Sequence, residues 1–280
     1  MNQKRIAVIT GANTGMGKAT ARALAENGDR VVMVCRSRER GEAALQEVKS
    51  QSGNPDVELM ICDLSSLDSV NEFCRDFRMK YKQLHVLINN AGVIVPDYRT
   101  TSEGYELQFG VNHLAHFLLT DRLLDLLKEG APARIINVAS VAHKSGKIYF
   151  DDVNLKQNYG AWRAYAQSKL ANVLFTYRLA EMLEGSGVTV NCLHPGTVAT
   201  NIVVKQNSPI GKLIARIMGW LIMPPEKGAE TAVYLASSGE VEGITGKYFY
   251  RKKPVPSSRL SYDKETAGKL WDLSVKMTSY

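Results

Sequence analysis

The chain has 280 residues, 45% of them hydrophobic and 22% charged. These values exclude a disordered chain, and the length suffices to bury roughly three quarters of the unfolded surface without staples. Net charge is +7, but residues 251–280 alone hold seven Lys/Arg against three Asp/Glu. The excess therefore reads as a basic C-terminal tail over 251–280, with a helix in it, and a nucleic-acid-binding face is not expected. No run of about 18 apolar residues occurs, so no spanning helix is expected, and the polar residues 1–5 do not resemble a signal peptide. Cys35, Cys62, Cys74 and Cys192 have no CxxC spacing. A disulfide framework or zinc knuckle is not expected, and a reducing, cytoplasmic location is.

In chain order, Arg5–Thr10 is a short apolar, β-branched run that predicts a first strand. A glycine-rich loop follows, then a helix over 18–27 that ends at Gly28. Further strands are predicted over 30–35, 57–62, 84–89, 133–139, 188–193 and 246–250. Helices are predicted between them over 38–50, 66–81, 103–127, 161–183 and 227–237. The strands are continuous apolar runs rather than alternating ones, so both faces are buried. This predicts a single-domain α/β Rossmann fold over residues 1–280: a doubly wound, seven-stranded parallel sheet with helices on both faces.

The loop Thr10-Gly11-Ala12-Asn13-Thr14-Gly15-Met16-Gly17 joins the first strand to the first helix. Its G-x3-G-x-G spacing suits a tight turn that lets the backbone approach a pyrophosphate at a helix N-terminus. Gly11, Asn13, Thr14, Gly15, Met16 and Gly17 are thus candidate cofactor contacts. The second strand ends Cys35-Arg36-Ser37-Arg38, without the carboxylate that binds ribose hydroxyls in the related dinucleotide fingerprint. A guanidinium there suits a 2′-phosphate, so Arg36, with Ser37 beside it, predicts NADP(H) over NAD(H).

Tyr165 and Lys169 are four apart on a predicted helix and so share one face. A neighbouring ammonium favours the phenolate, which makes a tyrosine usable as a general acid or base. Ser140 ends the fifth strand at the carboxyl edge, where such sheets bind ligands. His113 and His116 are three apart on a helix, but no third ligand stands near them and no metal is expected.

With these residues assembled, the chain resembles the short-chain dehydrogenases/reductases over roughly residues 4–250. The resemblance rests on Gly11-x3-Gly15-x-Gly17, Asp63-Leu64, Asn89-Asn90-Ala91-Gly92, Asn112, Ser140, Tyr165-x3-Lys169 and Pro195-Gly196-x-Val198-x-Thr200. It implies that Tyr165 is the acid/base toward a substrate oxygen and that Ser140 orients that oxygen. It implies that Lys169 binds the nicotinamide ribose and lowers the Tyr165 pKa, and that Asn112 holds a relay water. Asp63 and Leu64 would meet the adenine, and Asn90, Ala91 and Gly92 would line the cofactor groove. Pro195, Gly196, Val198 and Thr200 would lie at the nicotinamide end. Residues 34–37, 112–120 and 269–271 are similar to the retinol dehydrogenase-like branch, which includes relatives of protochlorophyllide reductase. That implies NADP(H) and a lipophilic aldehyde, ketone or matching alcohol as substrate.

The resemblance also implies that residues 201–225 form a substrate lid. Ile210, Leu213, Ile214, Ile217, Met218 and Leu221 fall at helical spacing there. A core-packed amphipathic helix and peripheral membrane contact remain the alternatives for this stretch. Homo-oligomers, dimeric or tetrameric, are expected by resemblance through residues 103–127 and 161–183. Two other functions stay open: reduction of a C=C or C=N bond by the same proton donor, and non-catalytic NADP(H) sensing. The sensor reading expects loss of Tyr165 or Lys169, and both are present.

Overall fold

A computed structural model of the chain describes residues 4–196 and 224–279. Val198, Thr200 and the lid expected over 201–225, apart from Pro224 and Pro225, lie outside the described residues. The strands are β1 (Ile6–Thr10), β2 (Arg30–Cys35), β3 (Val57–Ile61), β4 (Val86–Asn89), β5 (Ala133–Val138), β6 (Val188–Leu193), β7 (Lys247–Tyr250) and β8 (Lys253–Pro254). They form one sheet in the order β3-β2-β1-β4-β5-β6-β7-β8. All pairings are parallel except β7 with β8. The eighth strand goes beyond the seven expected. It is two residues long and antiparallel, reached through Arg251 and Lys252 at positive φ, too short for periodicity to reveal.

The helices are α1 (Gly15–Glu26), α2 (Arg38–Ser52), α3 (Leu67–Lys80), α4 (Ala115–Glu129), α5 (Ala161–Met182), α6 (Pro225–Ser237) and α7 (Lys264–Thr278). Successive strand residues feed opposite layers, as the two-residue side-chain period requires. Ala7, Ile9, Val31 and Met33 pack with Leu24 of α1, Val48 of α2 and Leu235 of α6. Val8, Val32 and Val34 pack with Phe73 and Phe77 of α3, Leu118 of α4 and Phe175 of α5. Local chemistry sets several helix boundaries. Ser37 accepts from the Arg40 N–H at the start of α2, and Gly53, at φ 66°, ends it.

The helix expected over 103–127 is interrupted. Leu107–Phe109 is α-helical, Gly110–Leu114 is a π-helical turn, and α4 follows. Glu106 starts this stretch by accepting the N–H groups of Gln108 and Phe109. Glu103 instead accepts the Leu67 N–H at 2.7 Å, which keeps it out of the helix.

The helix expected within the basic C-terminal tail is α7, and it packs on the body of the fold. Ala267, Leu270 and Met277 of α7 join Leu170, Ala171 and Leu174 of α5 in one cluster. Trp271 lies 5.0 Å from the Phe117 ring and 6.0 Å from that of Phe175.

Candidate active site

The strand order reverses between β1 and β4, and the crevice beyond the carboxyl ends of such strands is where an open α/β sheet binds ligands. The glycine loop starts there. Gly11 has φ 67° and donates its N–H to Val34 O at 2.8 Å, which sets the loop beside the end of β2. A Cβ on Gly17 would stand 2.4 Å from Gly11 O and 2.5 Å from Asn90 Nδ2, so only glycine fits. Thr14 precedes α1 without a side-chain cap, and no acidic residue occupies the first turn. That helix start therefore keeps its positive end uncompensated by side chains. Met16 is buried against Val138, Ala19 and Ala229, so its side chain serves the core. Asn13 is half-buried and Thr14 exposed.

Arg36 is exposed, and no carboxylate pairs with it among the described residues. Arg38 is instead paired with Glu42 at 3.7 Å, and Ser37 caps α2. Asp63 accepts the N–H and hydroxyl of Ser65 through Oδ1, at 3.0 and 2.7 Å. Leu64 beside it is buried.

Asn90 donates through Nδ2 to Thr10 O at 2.7 Å, tying β4 to β1. Thr10 Oγ1 accepts the N–H groups of Asn90 and Ala91 at 2.9 and 3.0 Å. It also contacts His116 Nε2 at 2.9 Å, while His116 Nδ1 contacts Asn112 O at 3.2 Å. A carbonyl can only accept, so the hydrogen sits on Nδ1 and Thr10 donates to Nε2. Burial holds the His116 pKa down at about 4, which keeps the ring neutral in this role. Thr10 and His116 thus link the loop to the π-helical turn, a role that sequence reading did not assign. The four-residue step from Asn112 to His116 was its only visible signal.

That turn presents the buried Asn112. Its side chain pairs with both the N–H and C=O of Val93, at 2.8 and 3.0 Å, and donates to Ser168 Oγ at 3.0 Å. Ser168 donates in turn to Tyr165 O at 2.8 Å. A Cβ on Gly92 would stand 3.4 Å from both Asn112 Oδ1 and Lys169 Nζ, so Gly92, Asn112 and Lys169 meet at one point.

Lys169 is 3% exposed and donates to Val138 O at 3.0 Å. Burial of the ammonium lowers its pKa to about 8. Its Nζ lies 5.7 Å from the centre of the Tyr165 ring. The Ser140 hydroxyl accepts the Ala142 N–H at 3.2 Å and stands next to that of Tyr165. Burial raises the Tyr165 pKa, and the opposing pull comes from Ser140. At the far edge, Gly196 has φ 83° and donates its N–H to His194 Nδ1 at 3.2 Å, next to Pro195. The structure therefore brings together Asn112, Ser140, Tyr165, Lys169 and Gly92. The glycine loop, Arg36 and Asp63 lie along the ends of β1, β2 and β3.

The family described as short chain dehydrogenase matches residues 5–211. The chain belongs to that family, whose members bind a nicotinamide cofactor, and it is an oxidoreductase. It is retinol dehydrogenase-like. A Homo sapiens protein named retinol dehydrogenase 14 is 45% identical over 285 residues, covering 96% of this chain and 85% of its own. Among solved structures, an uncharacterized Mycobacterium Paratuberculosis protein is 36% identical, with TM-score 0.80 over 98% of this chain and 93% of its own. The Pseudomonas aeruginosa RhlG/NADP active-site complex is 28% identical, with TM-score 0.71 over 88% of this chain and 93% of its own. Among the described residues, no helix is long and apolar enough to cross a membrane.

The site fits a nicotinamide dinucleotide on its own features. Gly17 leaves no room for a side chain, α1 starts uncapped, and Arg36 has no carboxylate partner among the described residues. Lys169 uses one of its three N–H donors on Val138, which leaves the others for ribose hydroxyls.

Proposed function

We propose that the chain is an NADP(H)-dependent reductase or dehydrogenase of a lipophilic aldehyde, ketone or matching alcohol. The observation that carries this reading is the Ser140–Tyr165 hydroxyl pair beside the buried Lys169 ammonium. When bound, the cofactor supplies or accepts the hydride. Tyr165 gives a proton to the substrate oxygen in reduction and takes it back in oxidation. Ser140 donates to the same oxygen and fixes its approach. Lys169 holds the ribose hydroxyls, and its charge favours the phenolate as the proton leaves. Asn112 holds a water between Lys169 and solvent, so the proton can be replaced.

Gly11, Asn13, Thr14, Gly15, Met16 and Gly17 would cradle the pyrophosphate, with Asp63 and Leu64 at the adenine. Asn90, Ala91 and Gly92 line the groove. Pro195, Gly196, Val198 and Thr200 hold the nicotinamide end. Arg36 and Ser37 favour the 2′-phosphate of NADP(H), a preference supported by NADP in the named RhlG complex. The names of the retinol dehydrogenase relatives support an apolar alcohol or its aldehyde as substrate. A cytoplasmic location with peripheral membrane contact belongs to the same reading, and cell fractionation tests it. Subunit pairing through residues 103–127 and 161–183 must accommodate α7, whose Trp271 already packs on Phe117 and Phe175. Light scattering reads that state.

The test is NADPH oxidation against aldehydes and ketones of rising chain length, with NADH in parallel and C=C and C=N acceptors alongside. Turnover that rises with apolar length and prefers NADPH supports the proposal. Turnover confined to C=C or C=N acceptors, or cofactor binding with no turnover, overturns it.

A further inference from the structure

Three residues beyond Ser140 stands His143, completely buried in the middle of a short 3-10 helix (Val141–Ser145). Its Nε2 lies 3.0 Å from the N–H of Ser258, a residue 115 positions further along. A backbone N–H can only donate, so Nε2 accepts and the ring hydrogen is on Nδ1. Nδ1–H then donates to Ser140 O at 2.6 Å. The imidazole rests on the Tyr248 ring, centroids 4.8 Å apart.

The far anchor is itself held. The hydroxyl of Ser261 donates to Ser258 O at 2.6 Å. Ser257 Oγ contacts Ser261 Oγ at 2.6 Å and the Tyr177 hydroxyl at 2.7 Å. Tyr177 belongs to α5, the helix that carries Tyr165 and Lys169. The hydrogen bonds thus close a loop that runs from Ser140 through His143 to residues 257–261 and back to the tyrosine's helix.

We propose that His143 is a positioning residue: by bridging Ser140 O to the Ser258 N–H, it sets the Ser140 hydroxyl against Tyr165. This rests on the reading of Ser140 and Tyr165 as the reacting pair. Burial holds the His143 pKa down, with Lys144 and the Ser140 carbonyl acting in opposite senses. His194 and Tyr248 are the other titratable groups against it. The ring is therefore neutral at neutral pH, the only form that can accept from Ser258.

The test compares wild type, His143→Phe, His143→Gln, Ser258→Pro and Ser140→Ala, each alone, with His143→Phe and Ser258→Pro also placed in the Ser140→Ala background. NADPH oxidation with decanal is the probe. Proline suits Ser258, whose φ is −69°, and removes its N–H together with a hydroxyl that makes no hydrogen bond. His143→Phe lowers kcat about tenfold to a hundredfold, the scale of a small misplacement of a catalytic group. Glutamine recovers most of that loss, because it can donate to Ser140 O and accept from Ser258. NADPH affinity stays at the wild-type value. In the Ser140→Ala background neither His143→Phe nor Ser258→Pro lowers kcat further, because both act through the removed hydroxyl. Should His143→Phe not fold, Ser258→Pro alone carries the comparison. Wild-type kcat in the single variants, or losses that multiply with that of Ser140→Ala, overturns the proposal. Wild-type kcat in Ser140→Ala would instead overturn the reading of the reacting pair on which it rests.

Discussion

The ammonium of Lys169 is held 3.0 Å from the carbonyl oxygen of Val138, in a site where the side chain is 3% exposed. Burial lowers its pKa from 10.5 to about 8. Between those values the unfolded chain binds more protons than the folded one, so stability from this group rises with pH across that window. Below about pH 8 the full cost of burying the cation is present. Lys169→Met removes this titration. The melting temperature of the cofactor-free variant minus that of wild type should therefore be highest below pH 8 and fall as pH rises toward 10.5. A difference that does not change across the window would contradict the buried, charged lysine.

Tyr165 is expected to act at the substrate oxygen and not in cofactor binding. Tyr165→Phe should lower kcat by about 10²- to 10⁴-fold, the usual worth of a positioned acid or base. NADPH affinity, measured by fluorescence titration, should change less than threefold, on the order of 0.6 kcal/mol. Retained turnover would remove Tyr165 from its role.

Gly17 lies inside α1, where alanine ordinarily stabilises a helix by about 1 kcal/mol. Here the added Cβ would meet Gly11 O and Asn90 Nδ2 at contact distances no real Cβ shows. The sign should therefore reverse. Gly17→Ala should lower the melting temperature and weaken cofactor binding together. A stabilised variant with unchanged affinity would show that the loop does not approach α1 as described.

Arg36 is the one guanidinium at the end of β2 that neither caps nor pairs among the described residues, whereas Arg38 is committed to Glu42. A hydrogen bond to a charged group contributes about 1.5–3 kcal/mol, or roughly tenfold to a hundredfold in affinity. Arg36→Asp should weaken NADP(H) by at least that factor while leaving NAD(H) close to its wild-type affinity. Calorimetry with both cofactors reads the ratio, and an unchanged preference would move the phosphate site elsewhere.

The layers of the fold were legible because burial on both faces leaves uninterrupted apolar runs such as 6–9 and 31–34. The glycine loop and the Tyr165/Lys169 pair were legible because their spacing alone dictates a shared place. The π-helical turn at Gly110–Leu114 was not, because one extra residue in a turn leaves no mark on a 3.6-residue period. The packing of α7 was hidden behind charge. Lys264 and Lys269 reach Glu181 and Glu265, while Ala267, Leu270 and Met277 lie inward at helical spacing. That stripe was the signal available. The bridge from Ser140 through His143 to Ser258 joins residues too distant in sequence for any local pattern to pair them. The depressed Lys169 pKa follows from tertiary burial, and no spacing encodes it.

The most direct test of the central claim is the fate of the hydride. NADPH deuterated at the transferable C4 position is incubated with the enzyme and decanal, and the alcohol is analysed by mass spectrometry and NMR. The account predicts one deuterium on the carbinol carbon, from one face of the cofactor only, with labelled product formed about 10²- to 10⁴-fold more slowly when Tyr165 is replaced by Phe. Product alcohol without deuterium at that carbon would contradict hydride transfer to a carbonyl at this site.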